Sequence, residues 1–134
     1  MDYEITWEPP NGFYVRFTGW VTPDSAARLA REITADVRYD SLRYGIIDLS
    51  ASPGHTFRSD DRVAVGMAMA ETIGARFTNP RMLEVAIATE ARMLNYLETY
   101  AAFSRRPLKV CGTVAEAREW LAEQTMSIRR LAEP

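Results

Sequence analysis

Two alternating runs open the chain. In YEITWE, residues 3–8, Tyr3, Ile5 and Trp7 fall on one side and Glu4, Thr6 and Glu8 on the other; in GFYVRFTGW, residues 12–20, Phe13, Val15 and Phe17 oppose Tyr14, Arg16 and Thr18. A period of two marks a half-buried strand, and the intervening Pro9-Pro10-Asn11-Gly12 is turn chemistry, so the pair predicts a β-hairpin. The period then changes. Thr22 before Pro23 reads as an N-cap followed by the first helical position, and Ala26, Leu29, Ala30, Ile33 and Val37 recur at helical spacing. YGIIDL, residues 44–49, lacks alternation and is β-branched at its centre, as expected of a short strand buried on both faces.

The second half repeats the strand-then-helix rhythm. Ser59 stands at an N-cap position, Asp60 and Asp61 fill a first turn where the helix dipole favours negative charge, and Val63, Met67, Ala70, Ile73 and Phe77 form the stripe of a second helix. Asn79-Pro80 ends that region, and LEVAIA sets Leu83, Val85 and Ile87 on one face of a strand. Thr89 is expected to cap a third helix carrying Met93, Leu94, Leu97 and Ala101. LKVCG is a fifth strand, and Thr113 with Glu116 makes a capping box ahead of Val114, Ala117, Trp120 and Leu121. Periodicity fades in the last ten or so residues, which divides the chain into a domain, 1–123, and a C-terminal tail, 124–134. The order is β-β-α-β-α-β-α-β-α. Right-handed crossovers then predict a single α/β domain with a mixed five-stranded sheet and four helices.

Composition narrows the function classes. The chain has 134 residues, 47% of them hydrophobic, enough for one core. Its 16 basic and 18 acidic residues leave a net charge of -2, so no positive field attracts a nucleic acid backbone. Fifteen of the basic residues are Arg and one is Lys109; with 18 Ala, this composition points to a GC-rich bacterial genome. The single Cys111 cannot form an internal disulfide, and Met-Asp-Tyr-Glu is a polar start, so a cytoplasmic protein is expected. VAVGMAMA, residues 63–70, falls far short of the ~20 residues that span a bilayer.

Candidate chemistry gathers in DLSASPGHTFRSDD, residues 48–61, which holds the only histidine. Asp48, His55 and Ser59 are the residue types of a hydrolytic triad at a strand C-terminus, where open α/β sheets place ligands. No G-x-S-x-G turn or glycine-rich phosphate cradle accompanies them, so Asp48 is read as tying down the loop and His55 as an exposed loop residue. One His and one Cys more than fifty residues apart offer no metal-ligand spacing, and Cys111 is read as a small core residue. No cofactor is expected.

The element order, the opening WEPPNGFYVRFTGWVTPD, the strand RYGIIDLS, the strand in NPRMLEVAIAT and the closing RPLKVCGTVAEAREWL together resemble the SpoIIAA-like branch of the STAS (sulfate transporter and anti-sigma factor antagonist) fold, over about Asp2 to Ala122. The resemblance implies a mixed sheet with helices, and a loop before the second helix that meets a partner. In the antagonists of that family the helix begins with an Asp-Ser-Ser/Ala-Gly type motif whose serine a partner kinase phosphorylates. The matching stretch here is RSDD, which makes Ser59 the candidate phosphosite, with Arg58 or Arg62 to pair a phosphate. Asp60 and Asp61 would repel that phosphate, so the reading carried forward is an N-cap.

Two helices add surface candidates. The 63–70 stretch is apolar all round, so one side meets the sheet and the other needs a cover: the third helix, a second copy of the chain, or a lipid-like ligand. Met67 and Met69 suit an irregular contact. On the third helix Tyr96, Tyr100 and Phe103 form an aromatic stripe beside the expected core stripe. The leading expectation is a non-enzymatic regulatory or protein-interaction module acting through loop 48–61 and the second helix, with an unidentified protein partner or as a homodimer. The alternatives are an apolar-ligand binder, since the resembled fold is similar to the CRAL-TRIO lipid-transfer arrangement, and a hydrolase using Asp48, His55 and Ser59.

Overall fold

The computed structural model describes residues 2–57, 79–104 and 107–132, with side chains to 102 in the second stretch and to 126 in the third. Strands β1 (Tyr3–Glu8) and β2 (Gly12–Phe17) form the expected hairpin, with Tyr3 opposite Phe17 and Trp7 opposite Phe13. Alternation puts their aromatic rings on one face, where Tyr3 and Phe17 lie 5.3 Å apart and Trp7 and Phe13 6.0 Å. Strands β3 (Tyr44–Asp48), β4 (Leu83–Ile87) and β5 (Leu108–Cys111) follow in parallel, giving the spatial order β1-β2-β3-β4-β5. At Gly45 an added Cβ would come within 2.2 Å of the Phe13 ring, so only a residue without a side chain lets that ring lie across β3.

Each parallel strand joins the same edge as its predecessor, so right-handed crossovers after β2 and after β4 bring their two helices to one face of the sheet. Helices α1 (Pro23–Ala35) and α2 (Ala91–Ser104) pack there, over Phe13, Val15, Phe17 and Ala86. Helix α3 (Val114–Ala132) has no strand after it in the described chain and covers the other face, against Ile46, Val85, Ile87 and Cys111. The described residues hold three α-helices and a 3-10 turn, Tyr39–Ser41. The helix expected from Ser59, the fourth of the predicted set, lies outside the described residues.

Local chemistry explains the helix starts and corrects several expectations. The Thr22 side chain accepts the Ser25 N–H and Ser25 Oγ accepts the Thr22 N–H, which completes a capping box ahead of Pro23. Helix α1 ends at Ala35, so Val37, expected on its apolar stripe, lies beyond it and is 95% exposed. Glu90 rather than Thr89 caps α2: its carboxylate accepts the N–H groups of Arg92 (3.0 Å) and Met93 (3.1 Å), where the helix dipole favours negative charge. The inward face of α2 is Met93, Tyr96, Leu97 and Tyr100, an i, i+3, i+4, i+7 set, whereas Leu94 faces outward at 38% exposure. Thr113 caps α3 by accepting the Glu116 N–H, but the Glu116 carboxylate accepts the N–H of Gly112 instead of that of Thr113. The stretch expected as a tail from 124 is helical to Ala132.

Candidate functional site

The C-terminal ends of the parallel strands form a rim, and its first part is the loop after β3. Asp48, only 4% exposed, accepts the Ser50 N–H (3.0 Å) and the Ser50 hydroxyl (2.6 Å) on Oδ1 and the Tyr14 hydroxyl on Oδ2. Burial alone would raise its pKa, but the bonds from Ser50 and Tyr14 outweigh that and hold the carboxyl below the usual range. Burial, then Asp48, pushes the Tyr14 phenol up to about 12. A carboxylate engaged this way anchors a loop, as expected from its place at a strand end.

Beyond Ser50 the loop is zipped to the segment between β2 and α1. The Val21 N–H donates to the Gly54 carbonyl (2.9 Å), the Thr56 N–H to the Val21 carbonyl (3.0 Å), and the Ser52 hydroxyl to the Gly19 carbonyl (2.8 Å). Val21 and His55 thereby form a parallel bridge outside the main strands. Gly54 has φ +146, a conformation that L side chains rarely adopt, and a Cβ there would sit 3.0 Å from the Trp20 ring. Trp20 packs over this glycine and stays 47% exposed. The sequence pattern had passed over it, because a Trp at the end of an alternating run looks like one more strand residue.

His55, expected to be exposed, turns instead toward the face of the sheet that carries α1 and α2. Its ring stacks on Tyr96 at 4.9 Å and lies 6.3 Å from Phe57, while Phe57 is 5.4 Å from Tyr96. Its Nδ1 is buried with no hydrogen-bond partner among the described residues. Burial, then the nearby Arg92 charge, holds the imidazole below its ordinary pKa. Asp48 bonds to Tyr14, which packs with the core under α3, whereas His55 contacts rings of the opposite core. No hydrogen bond joins Asp48 to His55 among the described residues, so these two triad candidates are not brought together.

The other expected surface residues divide. Tyr96 and Tyr100, expected on a partner or ligand surface, are each 7% exposed on the inward face of α2, where they pack in the core and line an apolar cavity. Tyr100 donates to Glu84 at 3.4 Å. Phe103 lies on the last turn of α2, with its side chain outside the described set, and Arg58, Ser59, Arg62, Met67 and Met69 lie outside the described residues altogether. Cys111 is buried under α3, and that burial raises its thiol pKa. Among the described residues no cluster of three His, Cys, Asp or Glu could hold a metal ion, and no helix is long and apolar enough to cross a membrane.

An apolar cavity of about 80 Å³ lies between α1, α2 and the sheet, lined by residues including Phe17, Leu29, Ile47, Ala86 and Leu97. That is about half the 150 Å³ of an engineered cavity that takes up benzene.

An antiparallel hairpin extended by three parallel strands, with helices on both faces, defines a SpoIIAA-like α/β fold of the STAS type. The chain is similar to the solved structure of the anti-sigma factor antagonist SpoIIAA in its unphosphorylated form, with a TM-score of 0.58 at 7% identity over 90% of this chain and 97% of that one. It is also similar to an uncharacterised protein of the DUF3478 family with a SpoIIAA-like fold from Shewanella loihica PV-4, with a TM-score of 0.50 at 13% identity over 89% and 91% of the two chains. No protein-family model and no curated protein sequence matches the chain.

Proposed function

We propose that this protein is a non-enzymatic interaction module of the regulatory type, and that it receives a protein partner on the rim built from loop 48–57 and Trp20. The observation that carries this reading is Trp20: a large indole, half exposed, seated on Gly54 and framed by a loop whose backbone is tied to its own segment. An exposed aromatic on a rigid support has the character of an interface hot spot, because little side-chain entropy is lost when it docks. Loop 48–57 also carries few free ionic groups, since Asp48 is engaged by Ser50 and Tyr14. The fold's likeness to a protein described as an anti-sigma factor antagonist supports a regulatory role without naming a partner.

The test begins with the full chain from its own host, in a native mass spectrum that reports subunit number, adducts and phosphate together. A co-purifying protein is then reconstituted and titrated against the wild type and Trp20→Ala. Binding at least tenfold weaker in the variant, with an unchanged melting temperature, is the expected result. Equal binding by both proteins would overturn the assignment of this rim. A defined organic adduct with no protein partner would favour the apolar-ligand reading, and phosphate on Ser59 would restore the switch that Asp60 and Asp61 argue against.

A further inference from the structure

The opposite rim, at the N-terminal ends of β3 and β4, holds a cleft of about 420 Å³ beside α3. Arg43, Arg81 and Arg118 line it together with Leu83 and Leu121. The three arginines come from separate stretches of the chain, and the first two are brought together by Asn79. This residue, 8% exposed, donates from its side-chain amide to the carbonyls of Tyr39 (3.0 Å) and Leu42 (2.9 Å). Its backbone N–H donates to the Tyr39 hydroxyl (2.9 Å), and its Oδ1 accepts the Arg81 N–H (3.0 Å). The Leu83 N–H donates to the Arg43 carbonyl and the Arg43 N–H to the Asn11 carbonyl, each at 2.8 Å. Both arginine backbones are therefore fixed before any ligand arrives, as preorganised recognition requires.

Arg118 enters from α3. Its guanidinium makes a fork with Glu8 (2.7 and 2.6 Å), and the same carboxylate accepts the Tyr44 hydroxyl (2.6 Å). Arg43 rests one nitrogen on the carbonyls of Ser41 and Leu42. Among the described residues neither Arg43 nor Arg81 has a carboxylate within ion-pair distance. Among the described residues three cations face one carboxylate, an excess of two positive charges in a chain whose acids outnumber its bases. Like charges collected around one cleft repel each other, and a bound dianion relieves that repulsion.

We propose that this cleft binds a small phosphate-bearing molecule, its phosphate set among Arg43, Arg81 and Arg118 and its organic body against Leu83 and Leu121. A phosphomonoester carries about -1.5 to -2 at neutral pH, close to the excess here, whereas a single carboxylate would leave part of it unmatched. The planar guanidinium fork fits phosphate oxygens in pairs. The cleft volume falls within the range of small-molecule sites and exceeds what an inorganic ion alone would fill.

The experiment is isothermal titration of the full chain at constant ionic strength with phenyl phosphate and with inorganic phosphate. Expected are saturable one-to-one binding of phenyl phosphate, weaker binding of inorganic phosphate, and at least a tenfold loss for phenyl phosphate in Arg43→Gln and in Arg81→Gln. Arg28→Gln, which alters the ion pair with Asp2 on α1, is the control and should bind as the wild type does. Both test variants remove exposed or half-buried charges, and a melting curve on each verifies folding. No saturation of phenyl phosphate by about 10 mM, or undiminished binding in both variants, would overturn the site. Equal affinity for the two probes would overturn the role of the apolar side chains.

Discussion

The two ends of the parallel strands are held together by different means. At the C-terminal end, loop 48–57 is tied to residues 18–22 largely through the main chain, with Val21 paired on both sides, and the exposed group is a neutral ring. At the N-terminal end one buried side chain, Asn79, links the 3-10 turn to the start of β4, and the exposed groups are guanidiniums. Main-chain ties tolerate many side chains, so the first rim can change what it displays without losing its shape. The second depends on the identity of a single residue. Arg43 and Arg81 keep their places beside each other only while that amide does.

The contrast is sharpest for Asn79→Ala, which leaves the carbonyls of Tyr39 and Leu42 without these donors. A loss of about 2–3 kcal/mol is expected from urea unfolding, because two buried amide bonds and the acceptor of the Arg81 N–H go together, while the Leu42 N–H still reaches the Tyr39 carbonyl and Arg43 the Leu42 carbonyl. A loss below about 1 kcal/mol would mean that the second rim does not hang on this residue. Gly54→Ala attacks the first rim where it depends on side-chain size and a positive φ. A destabilisation of about 1–3 kcal/mol is expected, together with a displaced indole resonance of Trp20 in the NMR spectrum.

Acid should probe the first rim in two stages. The folded-state pKa of His55 lies below its ordinary value of 6.5, so the unfolded chain takes up the proton first. Its contribution is complete above that value and is lost as pH falls through the folded pKa. Asp48 is also depressed, so its contribution is complete above 3.8 and is lost only as pH falls through its own lower folded pKa. Urea midpoints measured from pH 8 downward, at about one-unit steps, should therefore decline early in the wild type but not in His55→Phe. An identical early decline in both proteins would dissociate it from His55. Smallest is the effect of Arg118→Gln: its pair with Glu8 is partly exposed, so about 0–1 kcal/mol is expected, shrinking further with added salt.

Much of this architecture was legible because strands and caps act locally. The hairpin follows from alternation in residues 3–17, the buried strand from the unbroken apolar centre of YGIID, and α1 from Thr22 beside Pro23. Helix α2 shows where that logic stops. Leu94 looks like core and Tyr96 and Tyr100 like surface, yet the sheet receives the tyrosines and leaves Leu94 outside. Hydropathy ranks a leucine above a phenol, but a tyrosine can bury its ring while its hydroxyl finds a partner, as Tyr100 does with Glu84. The rims were less legible still. Asp48 and His55 lie together in sequence and on opposite sides of the sheet in space, while Arg43, Arg81 and Arg118 are far apart in sequence and share one cleft. Asn79 reads as a helix terminator, and nothing local announces that its amide reaches back to residues 39 and 42.

The anchoring of Asp2 has a practical consequence. Its carbonyl accepts the N–H groups of Thr18 and Gly19, each at 3.0 Å, and its carboxylate pairs with Arg28. Asp2 is therefore fixed against Gly19, the residue before Trp20. Any sequence attached upstream, whether a purification tag, a tether to a sensor chip or a fluorescent protein, joins the chain where Asp2 is tied to the segment that carries Trp20, and so adds bulk at the rim proposed for a docking protein. Attachment chemistry for binding measurements belongs at the other terminus, after α3.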